Sequence, residues 1–183
     1  VAYFKGHNAC VQLLFARDDI DIDFQDYQGQ TLLMKMNQEM HPDEPLDVEF
    51  LITKKNAKLD LRDRKEWTAL HYLVRRNYQH PKDEHDKIHE REKSLDLKIF
   101  RMMKERNAKL DDDLEEPQRA PISLAFFHPR YHMVKALIEA GADAKVIKDG
   151  YDHNMVHCLL EDPWNTTKID FFKEIVSIID KDH

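Results

Sequence analysis

Four short stretches of this chain can be laid over one another, and their spacing constrains the fold more than any other feature. They are Thr31-Leu32-Leu33-Met34, Thr68-Ala69-Leu70-His71, Ala120-Pro121-Ile122-Ser123 and Asn154-Met155-Val156-His157. Their first residues stand 37, 52 and 34 positions apart. A second marker repeats with them: Asn56-Ala57-Lys58, Asn107-Ala108-Lys109 and Gly141-Ala142-Asp143, at intervals of 51 and 34. Two independent markers that keep nearly the same unequal spacing indicate one supersecondary unit, used several times. Such a unit buries its apolar face only against its neighbours.

The plainest copy runs from Arg119 to Lys145. Pro121 stands where a first helix opens, a position at which its missing N–H costs nothing. Ile122, Leu124, Ala125 and Phe126 make that helix apolar, and Pro129 ends it. Met133, Val134, Ala136, Leu137 and Ile138 recur at the i, i+3, i+4 spacing of a second helix. Gly141 stops it, because glycine takes the left-handed position after a helix without strain. Asn56 and Asn107 stand at the same place in other units, and Asn is the next best residue for that conformation.

This pattern resembles the ankyrin repeat, whose unit is ~33 residues with a T-P-L-H-x-A opening. The residues that carry the resemblance are Thr68-Ala69-Leu70-His71, Ala120 to Ala125, Ala2 to His7 (A-x-x-x-G-H), Gly141-Ala142-Asp143 and the finger Asp26 to Thr31. It covers essentially the whole chain. It implies an all-α solenoid of about five helix-turn-helix units with short hairpin fingers. The units fall at about 1–25 (partial), 26–62, 63–112, 113–147 and 148–183, in one domain. Leu70, Leu73, Ile99 and Met102 are expected inside the middle unit. The resemblance also gives His71 and His157 a structural task, hydrogen bonding that ties neighbouring units together.

Composition narrows the classes of function. The chain has 183 residues, 42% hydrophobic and 34% charged, with a net charge of −7. That charge opposes nonspecific binding to a nucleic-acid backbone. No apolar run approaches the ~20 residues that cross a membrane, so direct membrane insertion is not expected. The two cysteines, Cys10 and Cys158, fit neither a disulfide framework nor a zinc spacing, which points to a reducing, intracellular and cytoplasmic setting. The chain begins with Val1 inside what reads as the end of a helix, and is read as a piece of a longer protein.

The departures from the repeat are insertions. In the unit that opens at Ala120 the second helix begins its apolar run 13 residues later, at Met133. The same interval is 17 from Thr31 to Val48, 31 from Thr68 to Ile99 and 21 from Asn154 to Ile175. All three extras fall between first and second helix. Residues 75–93 are almost wholly polar and are expected to be dispensable for folding, with the second helix starting near Ser94. Glu66 and Asp152 replace the turn glycine, so those two turns are expected to differ in shape.

No reaction is legible. Nucleophile elbow, phosphate-cradling glycine loop and H-E-x-x-H motifs are all missing from the sequence, and no catalytic residue, metal or cofactor is assigned. His85 and His89, with His80, Asp86 and Glu90, have the i, i+4 spacing of a metal pair. A solvated, charge-laced helix extension is the preferred reading of that segment. His128 and His132 are separated by Pro129, which undermines a shared helix face. His157 and Cys158 are adjacent and so point to different faces. Asp111-Asp112-Asp113 lacks the alternating ligands of a calcium loop.

What remains is a binding surface. By the resemblance, partners meet the finger tips and the ends of the first helices. The finger positions are Tyr27, Gln28, Gln30, Arg64, Lys65, Trp67, Glu116, Pro117, Arg119, Gly150, Tyr151 and His153. The helix-end positions are Phe4, Lys5, Gln38, Glu39, Arg75, Arg76, Phe127, His128, Glu161 and Asp162. Trp67 flanked by Arg64, Lys65, Arg75 and Arg76 makes a basic, aromatic patch suited to an acidic peptide, with Trp67 as the buried contact. The expected function is recognition of a protein or peptide partner. The alternatives are a structural or regulatory segment of a larger protein without a separate partner, such as a channel or sensor, and, more remotely, metal binding through the histidine insert.

Overall fold

The structure is a computed structural model that describes residues 16–39, 46–76, 85–110, 116–128, 130–148, 151, 153–155, 157 and 166–179. Among these residues it is helical, without a β-strand; one isolated antiparallel bridge joins Lys148 and Asn154. The α-helices are α1 (Leu32–Glu39), α2 (Leu46–Thr53), α3 (Ala69–Val74), α4 (His85–Glu105), α5 (Pro121–Phe127), α6 (Tyr131–Glu139) and α7 (Thr166–Ile179). Short 3-10 turns at Pro117–Arg119 and Ala144–Val146 flank the α5–α6 pair.

The helices pack in two rows. Each of the stretches 26–62, 63–112 and 113–147 holds one pair: α1 with α2, α3 with α4 and α5 with α6. α1, α3 and α5 follow one another in the first row, and α2, α4, α6 and α7 in the second. Five of these helices, α1, α2, α3, α5 and α6, are nine residues or shorter, too short to be stable alone in water. Burial between the rows holds them. Leu33, Met36, Leu51, Leu70, Leu73, Ile99, Met103, Ile122, Met133 and Leu137 are all at most 1% exposed. Met102, expected in this core, is only half-buried. The apolar face of α4 follows Leu95, Ile99 and Met103, four residues apart, and Met102 lies at its margin.

The helix ends repeat in backbone as well as in sequence. Asn56, Asn107 and Gly141 all take positive φ, at 58°, 59° and 105°. The following residue then returns its N–H to the helix: Ala57 to Leu51 O (3.0 Å), Ala108 to Met103 O (3.0 Å) and Ala142 to Leu137 O (2.9 Å). These bonds satisfy carbonyls that would otherwise have no partner at a helix C-terminus.

The turns before α1 and α3 are near copies. Asp26 Oδ1 accepts from the N–H groups of Gln28 (2.8 Å) and Gln30 (2.9 Å). Asp63 Oδ1 accepts from Lys65 (2.8 Å) and Trp67 (2.9 Å). Gly29 donates to Asp26 O at 2.8 Å, and Glu66 to Asp63 O at 3.0 Å. The expectation that Glu66 would distort its turn is therefore corrected. Glu66 adopts the left-handed conformation at φ 61°, close to Gly29 at φ 78°. The Asp side chain dictates the turn, and the residue in the glycine position accepts the strain. Gly29 has a second reason to be glycine: a Cβ there would stand 3.0 Å from Arg64 N and Asp63 Cα of the next turn. The two turns are in fact bonded, Arg64 N–H to Gln28 O at 3.0 Å.

The insertion in the middle unit is also corrected. α4 is continuous from His85, so the histidine-bearing segment is a helix extension, as expected, and the helix does not wait until Ser94. Two members of the supposedly peripheral segment 75–93 are buried, Arg76 and Glu92. Removal of the whole segment would therefore open the interior.

Candidate functional site

The turn row and the C-terminal ends of α3 and α5 form the face on which the expected binding residues fall. Asp63 organises its centre. Its Oδ2 accepts from the Tyr72 hydroxyl (2.6 Å), which in turn accepts a hydrogen bond from Gln30 Nε2 of the preceding turn. Burial, reinforced by the Asp63 carboxylate, pushes the Tyr72 phenol up to about 12. Thr68 caps α3. Its N–H donates to His71 Nδ1 (3.0 Å), and its hydroxyl lies 2.8 Å from the same nitrogen. The His71 ring accepts at Nδ1, so it is neutral, and burial with the nearby Arg62 charge holds its pKa at about 4. This is a structural histidine, as the sequence led us to expect for this position. His157 differs: it is exposed and bonds within its own segment, to Asn154 Oδ1 at 2.9 Å.

Trp67 lies under this face and not on it. It is 8% exposed, stacks on His71 (6.1 Å between centroids, 12°) and meets Tyr72 edge-on (5.4 Å, 69°). Lys65 Nζ sits 5.2 Å from its ring centroid and the Arg75 guanidinium carbon 5.0 Å. Trp67 is thus the floor beneath two cations, which corrects its assignment as the side chain inserted into a partner. Arg75 also reaches the next unit, where its Nε donates to His128 Nε2 at 3.2 Å. Burial and the Arg75 charge lower the His128 pKa below 6.5. Beside it, Phe127 is 38% exposed and packs edge-on against the buried Phe126 (5.1 Å, 86°).

Of the finger and helix-end residues expected to contact a partner, Lys65, Trp67, Arg75 and His128 are linked by contacts through Trp67 and Arg75, with Phe127 adjoining. Arg64, on the same turn as Lys65, is exposed, and so are Gln28 and Tyr27, the latter at 76%. Tyr151 (83% exposed) and His153 form a second group with His157, with rings 6.0 Å and 5.5 Å apart in sequence. Gln30 and Arg76 are buried at 8% and 3%, which corrects their assignment to an open surface. Arg119 is exposed and paired with Glu116 at 2.7 Å. Phe4, Lys5, Gly150, Glu161, Asp162 and His80 lie outside the described residues, as do the side chains of Glu39, His85 and His89.

Arg76 points inward to a charged cluster that sequence reasoning missed. Asp96 of α4, fully buried, accepts from Arg76 Nη1 (3.0 Å) and, through its other oxygen, from Arg130 Nη2. His132 Nε2 lies 3.2 Å from that second oxygen. Burial and the charges of Arg130 and Lys93 still hold the His132 pKa at about 4. Arg76 Nε donates to Asn37 O (2.7 Å), and Arg130 Nη1 to Arg76 O (2.8 Å). The cluster therefore ties α1, α3, α4 and the start of α6 together. A signal for it exists in the sequence. Asp96 lies among the apolar positions Leu95, Ile99 and Phe100 of a helix, where a carboxylate needs a cation.

Among the described residues no group of three His, Cys, Asp or Glu side chains is placed to hold a metal ion, and no helix is long and apolar enough to cross a membrane. Compared with models of protein families the chain matches none, and it matches no curated protein.

Proposed function

We propose that this chain is an ankyrin-type repeat module, without catalysis of its own, that recognises a protein or peptide on the face made by its turns and first-row helix ends. The observation that carries the reading is the recurrence of one turn, at Asp26–Gln30 and Asp63–Trp67, with matching hydrogen bonds, a left-handed fourth residue and a bond from one turn to the next. Such a row of rigidly linked turns presents Tyr27, Gln28, Arg64, Lys65 and Arg75 in fixed positions. Little ordering entropy is then lost when a partner binds. The aromatic and Arg side chains on it are of the types that dominate binding energy at interfaces.

Photo-crosslinking tests this. A photoreactive residue is placed singly at Tyr27, Arg64 and Phe127 on the proposed face, and at Lys98 and Lys173 on the second row. Adducts to one partner in source cells, formed from the first three positions and not the last two, are the expected result. Adducts from the second row alone would move the site. A second reading, a structural or regulatory segment that packs within a larger protein, is favoured by Phe24 (68% exposed) and Val176 (37%) near the two ends of the described stack. It predicts adducts only from positions such as these.

A further inference from the structure

We infer that Lys65, Arg75 and His128 together seat an acidic segment of the protein partner, and that His128 makes this binding tighten as the pH falls. The inference rests on the recognition face proposed above and names the chemistry of what that face takes.

The three groups come from three elements: the turn before α3, the end of α3 and the end of α5. Trp67 holds two of them in place, since both cations lie over its ring. Neither Arg64, Lys65 nor Arg75 forms an ion pair with a described carboxylate, although the chain carries a net charge of −7. Some lysines elsewhere on the surface are matched, as Lys35 with Asp26 (2.7 Å) and Lys98 with Glu49 (2.6 Å). An unmatched local set of cations on an acidic protein attracts a short run of carboxylates and steers it on approach. A nucleic acid would meet the same cations but also the overall negative charge, along a backbone with regularly spaced phosphates. The half-exposed Phe127 adds an apolar contact beside His128.

His128 supplies the pH dependence through geometry. Its Nε2 accepts from Arg75 Nε, which requires a lone pair and so a neutral ring. The charged group that faces it is Arg75 from α3; Arg130 and the neutral His132, next along the chain at the start of α6, turn toward Asp96. A partner carboxylate placed against Arg75 and His128 offsets the Arg75 charge and can accept from a protonated Nε2. Protonation is then more favourable in the complex than in the free protein. A proton is taken up on binding, so affinity rises as pH falls toward the lowered pKa of free His128. His71 and His132, both held near 4, do not titrate in this window.

The test uses a fluorescein-labelled twelve-residue peptide of Asp and Glu with one Tyr and no His, followed by anisotropy with the full chain. Wild type should bind it with a 1:1 stoichiometry, several-fold tighter at pH 5.5 than at pH 7.5, and less tightly at high salt. Arg75→Gln and Lys65→Gln should each weaken binding about tenfold, the loss of one charge-assisted hydrogen bond, with unchanged circular dichroism. His128→Gln should flatten the pH dependence. Equal binding by wild type and both cation variants, or no binding of the peptide, would overturn the inference. A pH slope that persists in His128→Gln would remove the histidine from it. Tighter binding of a twelve-nucleotide single strand, lost in the same variants, would replace the partner class. Adducts from Phe127 to a partner without an acidic stretch would sink this inference and leave the recognition face standing. No adduct from that face would remove both.

Discussion

Replacing Asp96 by Ala would remove the carboxylate that Arg76 and Arg130 share. Asp96 is fully buried, the Arg76 side chain is 1% exposed and that of Arg130 11%, so water cannot take the carboxylate's place without rearrangement. Both guanidinium groups are also anchored, Arg76 to the Asn37 carbonyl and Arg130 to the Arg76 carbonyl, and cannot swing out without breaking those bonds. Removing one partner of a buried ion pair costs about 3–5 kcal/mol. One carboxylate here serves two cations, which places Asp96→Ala toward the upper end. A domain of this size has about 5–15 kcal/mol in all. The loss corresponds to a fall in Tm of roughly 10–20 °C, at about 2–4 °C per kcal/mol for 150–250 residues. Urea unfolding followed by circular dichroism gives the difference, provided the m-value is unchanged. The triple variant Arg76→Met, Asp96→Leu, Arg130→Met is the control. By restoring apolar packing it should recover most of the stability, because the pair's attraction barely exceeds its desolvation cost. A loss below about 1 kcal/mol in Asp96→Ala would show that the cluster is hydrated and that the second row is not locked through it.

Glu66→Gly should stabilise the protein by about 0.5–1 kcal/mol, since the left-handed φ of 61° is strained for Glu and free for Gly; a destabilised variant would mean the turn is not held as described. Leu70→Ala should cost about 2–5 kcal/mol through the cavity it leaves at a 1% exposed position, and unchanged stability by urea titration would put the register of α3 in error. The His71 ring, with a folded pKa of about 4 against 6.5 unfolded, binds its proton later in the folded state. Its contribution is therefore full above pH 6.5 and is lost as pH falls toward 4, by about 3 kcal/mol in total. An NMR titration of the imidazole C2–H should find it neutral at pH 5, and a midpoint near 6.5 would refute its burial. Trp67→Ala should now cost about 3–5 kcal/mol of stability, because the ring is core; retention of wild-type Tm would return it to the surface.

The parts of this protein that were legible in the sequence are those set by local backbone chemistry. Asn56, Asn107 and Gly141 mark helix ends because few residues tolerate positive φ there, and Pro121 marks a helix start because it lacks an N–H. The spacing of these markers sufficed to expect an all-α chain of helix pairs. Lys65, Arg75 and His128 could be assigned to one face because their places in the unit recur. Shape at Glu66 was misjudged because the Asp63 side chain, and not the residue at the glycine position, controls that turn.

What only the tertiary structure decided is which way long side chains point. Arg75 and Arg76 are neighbours with the same chemistry, yet one covers Trp67 at the surface and the other enters the core. The choice depends on Asp96, twenty residues on, and Arg130, fifty-four residues on, and thus on how the continuous α4 is rotated against α3 and α6. Trp67 was sunk beneath its cations in the same way, by His71 and Tyr72 rising to meet it from α3. Backbone preferences act over a few residues and repeat with the sequence. The direction of Arg76 is set by an opposite charge that packing brings close, Asp96 on the paired helix of its own unit, which Arg130 of the next unit shares.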